Sequence, residues 1–121
     1  MSIKRVLTVA TFALASAVTS SAFAHAKLQS SDPQAGSTLD TAPKQVRLKF
    51  NEALEPAFSK IKLTGPQNNE IPVTATTVDK ADPTIMTAPL PALSSGEYHI
   101  QWSTMTHDGH KAKGEVTFKV K

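Results

Sequence analysis

Three side chains that can coordinate a metal ion lie within one short segment near the carboxyl end of the chain. His107, Asp108 and His110 follow Thr106, and Gly109 separates the aspartate from the second histidine. On an extended backbone, residues two apart project to the same side, so the carboxylate of Asp108 and the imidazole of His110 can approach one ion. A solvated polar turn is the competing interpretation, since aspartate and glycine are common loop residues.

Another histidine lies near the start of the chain, where His25 directly follows Ala24. Two basic residues within the first five, an uncharged apolar run over residues 6–18 and small residues before position 25 are typical of a cleaved secretory signal. An uncleaved membrane anchor is the alternative, but the run is shorter than the roughly 20 apolar residues that a span needs. We therefore predict a signal peptide over residues 1–24 and one mature domain over residues 25–121.

Cleavage after Ala24 would make His25 a ligand of a particular kind. A terminal histidine offers its imidazole and its free α-amine, which has a pKa near 7.7 to 8.0 and can lose its proton to a metal ion near neutrality. With Asp108 and His110 the set becomes three nitrogens and one oxygen, which suits the tetragonal preference of Cu(II). Zinc could accept the same donors, but Cu(II) ranks above Zn(II) in affinity for such sites, so the sequence favours copper.

Composition narrows the classes of partner and metal site. The chain has no cysteine, which excludes thiolate sites and leaves stability to packing and sheet hydrogen bonds. The formal net charge of +3 falls to +1 when Lys4 and Arg5 leave with the signal, so electrostatics gives no support for a nucleic-acid partner.

Alternating apolar residues predict a series of short β-strands. The segment over residues 52–59 is interrupted by Pro56 and predicts a loop or a single turn. About seven strands predict an all-β, immunoglobulin-like Greek-key β-sandwich with Trp102 in its core. The regular runs are Val46/Leu48/Phe50, Ile61/Leu63, Tyr98/Ile100/Trp102 and Val116/Phe118/Val120, and the less regular ones are residues 26–30, 71–78 and 84–86.

These residues, taken in order, resemble the CopC-type periplasmic copper-binding proteins. The resemblance extends over nearly all of the mature chain, and its specificity comes from the order and spacing of several short motifs. The matching motifs are His25-Ala26-Lys27-Leu28, Ser31-Asp32-Pro33 with Gly36, Phe50-Asn51-Glu52 with Phe58-Ser59, Gly96-Glu97-Tyr98 leading to Trp102, and Asp108-Gly109-His110 leading to Gly114 and Phe118.

The resemblance implies a Cu(II) site made by His25, Asp108 and His110. Glu52 matches an acidic position near that site and is expected to be an outer-sphere or weak ligand, with a plain surface carboxylate as the alternative. His107 is expected to be an outer-sphere or solvated residue, because the ligand set is complete without it. His99 alternates away from the apolar residues of its strand and is expected on the surface.

One departure from the family concerns the loop after Leu63, where many relatives carry methionines that bind Cu(I). Residues 65–73 contain no methionine here, so Cu(I), a soft ion, finds no soft ligand in that segment. Met86 and Met105 are isolated and are expected to fill gaps in the core. The resemblance therefore implies the Cu(II)-only branch of the family.

The resulting hypothesis is a monomeric periplasmic protein, without catalytic residues, that binds Cu(II) and takes part in copper homeostasis or tolerance. By resemblance, an inner-membrane copper-uptake protein of the CopD type is the expected partner. One alternative is an enzyme with a histidine brace like that of lytic polysaccharide monooxygenases, although no aromatic run is left to stack on a sugar polymer. The other alternative is a metal-free sandwich that serves as an interaction module.

Overall fold

The computed structural model describes residues 26–121. The predicted signal peptide, its cleavage position and His25 lie outside the described residues. Within residues 26–121, no helix is long and apolar enough to cross a membrane.

Two β-sheets make up the described part of the chain. The four-stranded sheet has the order β1-β3-β7-β6, and the five-stranded sheet has the order β2-β9-β8-β4-β5. All neighbours are antiparallel except β2 and β9, which are parallel. The strands are β1 (Leu28–Asp32), β2 (Ser37–Leu39), β3 (Gln45–Phe50), β4 (Lys60–Thr64), β5 (Glu70–Ile71), β6 (Thr77–Val78), β7 (Ile85–Pro89), β8 (Gly96–Met105) and β9 (Lys111–Val120).

The core lies between the two sheets and is built from the alternating apolar side chains of the long strands. In β3 the side chains of Val46, Leu48 and Phe50 are buried, whereas those between them are wholly or partly exposed. The rings of Phe50 and Trp102 meet across the sheets in an edge-to-face arrangement, with centroids 4.8 Å apart. The predicted all-β sandwich, with Trp102 in its core, is therefore confirmed.

The strands differ from the prediction where alternation is weak. β2, which pairs in parallel with β9, was not predicted. It is only three residues long, so its sequence shows no recognisable alternation of apolar and polar residues. The prediction of one strand over residues 71–78 is wrong. This run contains the last residue of β5 and the whole of β6, and these two strands belong to different sheets. The loop over residues 52–59 contains only a single 3-10 turn, Pro56–Phe58, as expected.

The prediction that methionines fill the core is correct for only one of them. Met86 is fully buried, but Met105 points to the outer face of the five-stranded sheet and is half-buried. His99 also lies on that outer face, as predicted, although its imidazole contacts two carboxylates, Glu97 and Glu115.

The longest pairing in the molecule positions the candidate ligand segment. β8 and β9 pair along their whole length, from Gly96 opposite Val120 to Met105 opposite Lys111. The five residues between Met105 and Lys111 therefore form the end of a long hairpin whose two arms are fixed by the sheet.

Candidate metal centre

The segment from Thr106 to His110 is a closed turn and is not extended. The amide of Thr106 donates to the carbonyl of His110 over 3.0 Å, and the amide of Gly109 donates to the carbonyl of Thr106 over 2.9 Å. Gly109 has a backbone φ of +87°, a value that residues other than glycine rarely adopt. The extended geometry considered for this segment is therefore wrong.

Asp108 and His110 nevertheless face each other across this turn. Oδ2 of Asp108 lies 3.0 Å from Nδ1 of His110, and about half of each side chain is exposed. The turn brings a carboxylate and an imidazole together at an accessible position, by a geometry different from the extended one considered for this spacing.

Thr106 fixes the other oxygen of the carboxylate. Its hydroxyl donates to Oδ1 of Asp108, and the residue itself is almost fully buried at 1% exposure. That hydrogen bond holds the pKa of the Asp108 carboxyl below its ordinary value, and the adjacent His110 adds to the effect. The lowered pKa favours the ionised carboxylate of Asp108, which is the state that a metal ligand requires.

The loop that follows β3 packs against this turn. Leu54 pairs with Thr106 in an isolated bridge, and the amide of Glu55 donates to the carbonyl of Met105 over 2.8 Å. The amide of Leu54 also donates to the carbonyl of Pro83 over 2.9 Å, which ties the loop to the segment before β7. Backbone contacts on both sides thus hold residues 51–55 beside the hairpin end.

Glu55 is a contact of this region that the sequence did not reveal. Its carboxylate is hydrogen-bonded to Nδ1 of His107, although 52 residues separate the two in the chain. Neither alternation nor motif spacing indicates such a pair, since it arises only when the loop after β3 docks on the hairpin. His107 is thus held toward Glu55, while His110 is the histidine that contacts Asp108.

Glu52 lies near the turn but makes no side-chain hydrogen bond to it within residues 26–121. Together with Ala53, Thr106, His107 and Asp108 it lines a shallow, open depression of about 220 Å³. Glu52 therefore lies near the candidate site, on the same depression as Asp108.

The start of the described chain is fastened at the same loop. The amide of Lys27 donates to Oδ1 of Asn51 over 2.7 Å, and the carbonyl of Lys27 accepts from the amide of Asn51 over 3.1 Å. Ala26 is buried against the core. The first described residues therefore lie next to the loop that carries Glu52.

The described residues alone do not complete a metal site. Between Ala26 and Lys121, no group of three or more histidine, aspartate or glutamate side chains is arranged to hold one ion. Asp108 and His110 supply one oxygen and one nitrogen donor. His25, the third candidate ligand, lies outside the described part of the chain.

Comparison with known proteins shows the family. The family model described as "CopC domain" matches residues 28–121, which is all of the described chain except its first two residues. The chain belongs to the CopC family. This family assignment agrees with the two-sheet fold and with the resemblance seen in the sequence.

Three similar proteins illustrate the relationship. Protein YobA of Escherichia coli K12 is 38% identical over 107 residues, covering 88% of this chain and 86% of its own. Copper resistance protein C of Pseudomonas syringae pv. tomato is 36% identical over 127 residues and covers the full length of both chains. The crystal structure of CopC from Methylosinus trichosporium OB3b aligns with a TM-score of 0.75 at 28% identity, covering 80% of this chain and 94% of that one.

Proposed function

We propose that this member of the CopC family is a periplasmic Cu(II)-binding protein that carries the ion and does not transform a substrate. The supporting observation is the pair formed by Asp108 and His110, which a hydrogen-bonded turn holds 3.0 Å apart at an exposed position. The names of relatives, which include copper resistance and copper transport proteins, support copper as the ion.

The remaining donors in this proposal come from His25 after cleavage of the signal peptide. His25 directly precedes Ala26, which is buried next to the hydrogen-bonded Lys27, and consecutive Cα atoms are only about 3.8 Å apart. The free amine and imidazole of His25 would add two nitrogens to the donors of Asp108 and His110. Three nitrogens and one oxygen suit tetragonal Cu(II).

The absence of soft donors supports the oxidised form of copper as cargo. The turn between β4 and β5 and the residues just after β5 contain no methionine, and the candidate ligands are nitrogen and oxygen donors. Such donors favour Cu(II), whereas Cu(I) prefers thioether and thiolate sulfur. We therefore place the protein in the Cu(II)-only branch of the family.

The proposed role is storage and transfer by ligand exchange. A terminal residue can leave the ion without disturbing either sheet, because chain ends move more freely than paired strands. We propose that the protein acts as a monomer and passes copper to an inner-membrane protein of the CopD type. Neither a histidine-brace enzyme nor a metal-free module gains support from a specific contact in the described residues.

Single substitutions at the candidate ligands test this proposal. In protein beginning at His25, Asp108→Ala and His110→Ala should each weaken Cu(II) binding by more than the roughly 10- to 100-fold typical of losing an outer-shell contact. Isothermal titration with a competing chelator gives the dissociation constants.

His99→Ala is the matched control, since it removes a half-exposed imidazole from the outer face of the sheet. His107→Ala should also change affinity little, because its imidazole faces Glu55. Wild-type affinity in both Asp108→Ala and His110→Ala would refute the proposed site.

A further inference from the structure

The outer face of the five-stranded sheet carries a concentrated set of lysines next to the candidate metal centre. Lys60 and Lys62 project from β4, and Lys111 and Lys113 project from β9, with β8 between them. Lys60 and Lys113 flank the same residue, Ser103, so about 10 Å separates their backbones. We call these four residues the lysine patch.

The lysine patch forms no ion pair within the described residues, although Glu115 lines the same surface depression as Lys60, Lys62 and Lys113. All four side chains belong to exposed residues, and none lies within 4.0 Å of a carboxylate in residues 26–121. The other half of the same face is compensated, because Glu97 and Glu115 contact His99, and Glu97 also pairs with Lys119. Positive charge is therefore concentrated at the end of the sheet that leads into the turn with Asp108 and His110.

An apolar cavity opens beside the lysine patch. It has a volume of about 450 Å³ and is lined by Phe58, Ser103, Thr104, Met105, Ala112 and two of the lysines. Phe58 is 55% exposed and is the one large hydrophobic side chain that is exposed among the described residues. A cavity lined by phenylalanine and methionine and bordered by lysines resembles the apolar centre and charged rim of a protein interface.

We propose that this surface docks an acidic protein segment that inserts an apolar side chain into the cavity. The four lysines select carboxylates by charge complementarity, and the cavity receives the apolar residue. A lipid bilayer is the less suitable occupant, because a bilayer surface offers no protruding side chain to fill a cavity. Met105 and Lys111 are the last paired residues of the hairpin, so a segment bound here lies directly beside the turn that carries Asp108 and His110.

This docking surface depends on the proposed function in one respect only: the docked partner would receive copper from the proposed site. Binding itself depends on the lysine patch, Phe58 and Met105, none of which is a candidate copper ligand. Docking is therefore measured on metal-free protein in the presence of a chelator, and copper affinity is measured separately on the same variants. Loss of docking with unchanged copper affinity, or the reverse, distinguishes failure of one proposal from failure of the other.

The test uses a synthetic peptide of glutamates with one central leucine, followed by amide chemical shifts of the labelled protein. The expected result is saturable shifts at Ser103, Met105 and residues 111–113, which weaken as salt is added. The double variant Lys60→Glu/Lys113→Glu should reduce affinity at least about tenfold, which corresponds to 1.4 kcal/mol. Phe58→Ser, or a peptide with serine in place of leucine, should also reduce it.

Lys80→Glu is the matched control, because it makes the same charge change on an exposed loop distant in sequence from the patch. All substituted residues are exposed, and the spectra themselves report whether each variant is folded. Absence of shifts on this face, or equal losses for Lys80→Glu and for the double variant, would overturn the proposal. Binding to phosphatidylglycerol vesicles through the same lysines, without binding to the peptide, would also overturn it in favour of a membrane surface.

Discussion

Thr106 is the residue that links the fold to the candidate ligands. It is buried, it pairs with Leu54 across the loop, and its hydroxyl donates to the carboxylate of Asp108. A residue that orients a ligand in this way affects metal affinity without touching the metal. Thr106 is thus a positioning residue for Asp108.

Replacing Thr106 with valine tests this role. Thr106→Val keeps the shape of the side chain but removes the hydroxyl, so the pKa of Asp108 should rise toward its ordinary value. Cu(II) affinity should fall by about 10- to 100-fold, less than on loss of Asp108 itself. Titration of Asp108 by carbon-detected NMR and chelator competition measure the two effects.

The matched control is Thr64→Val, which makes the same change in β4 at a side chain with no recorded hydrogen bond. An unchanged Asp108 pKa in Thr106→Val would show that the hydroxyl does not act on the carboxylate.

At the scale of single residues, the sequence could predict what lies close together along the chain. Asp108 and His110 are two residues apart, so their proximity could be expected, but a closed turn and not the extended backbone assumed for that spacing brings them together. The contact between Glu55 and His107 could not be predicted, because it depends on how a distant loop docks on the hairpin.

Close packing between β8 and β9 accounts for a glycine within a long strand. Gly114 lies opposite Trp102 on the inner face, and a Cβ atom added there would lie 2.5 Å from Cζ2 and 2.7 Å from Cε2 of the indole. No real Cβ contact is that short, so the indole occupies the space that a side chain would need. The glycine is required here for close approach rather than for an unusual backbone conformation.

Gly114→Ala should therefore destabilise the domain by about 1 to 3 kcal/mol through overpacking. The substitution Trp102→Phe replaces the two-ring indole with a smaller phenyl ring. In that background, Gly114→Ala should reduce the free energy of unfolding by less, with a difference of about 0.5 kcal/mol or more. The free energy of unfolding in urea, measured for the four proteins of this cycle, provides the test. Equal costs in the two backgrounds would contradict the packing argument.

The segment between β6 and β7 is organised by Asp82. Its Oδ1 accepts from the hydroxyl of Thr84 over 2.5 Å and from the amide of Thr84 over 3.1 Å, and its Oδ2 lies 3.3 Å from Nζ of Lys49. The hydrogen bonds from Thr84, with a smaller contribution from Lys49, lower the pKa of Asp82. A carboxyl whose pKa is lower in the folded state stabilises the fold above its unfolded pKa, and this stabilisation is lost as pH falls through the folded pKa.

Thr84→Val should therefore be less stable than the wild type near neutral pH, and the difference should shrink below about pH 4 as Asp82 becomes protonated in both proteins. Urea unfolding at a series of pH values measures the difference. Thr77→Val, at an exposed position of β6, is the control and should show no such trend. A constant difference between wild type and Thr84→Val across the pH range would exclude Asp82 as its source.

At the scale of elements, alternation predicted the strands that build the core. β3, β4, β8 and β9 each present apolar side chains to one face, and each was predicted close to its actual position. β2, β5 and β6 are only two or three residues long, so a period of two cannot be recognised in them. Their positions are set by pairing with longer strands.

At the scale of the whole molecule, the two sheets and the candidate site depend on one another. The core and the sheet hydrogen bonds hold the domain together without disulfides, since the chain contains no cysteine. The same pairing fixes β8 and β9 so that the turn between them meets the loop after β3. We propose that cleavage completes this arrangement by supplying the terminal donors of His25.

The overall fold could be predicted from the sequence because apolar residues alternate along each long strand and so indicate which side chains are buried. The proposed ligand set followed from the predicted cleavage before His25 and from the types of donor, and the family resemblance supported it, because His25 is distant in sequence from Asp108 and His110. The lysine patch, by contrast, becomes visible only when β4 and β9 are known to flank β8.

The central claim is that the free amine of His25 is a ligand of Cu(II). The most direct measurement compares protein that begins at His25 with protein that carries one additional alanine before it, by titration and by electron paramagnetic resonance. The alanine moves the terminal amine away and leaves a peptide nitrogen in its place. We expect the extended protein to lose more affinity than the roughly 10- to 100-fold typical of an outer-shell change, and its copper hyperfine coupling to differ. Equal affinity and identical spectra for the two proteins would contradict the central claim.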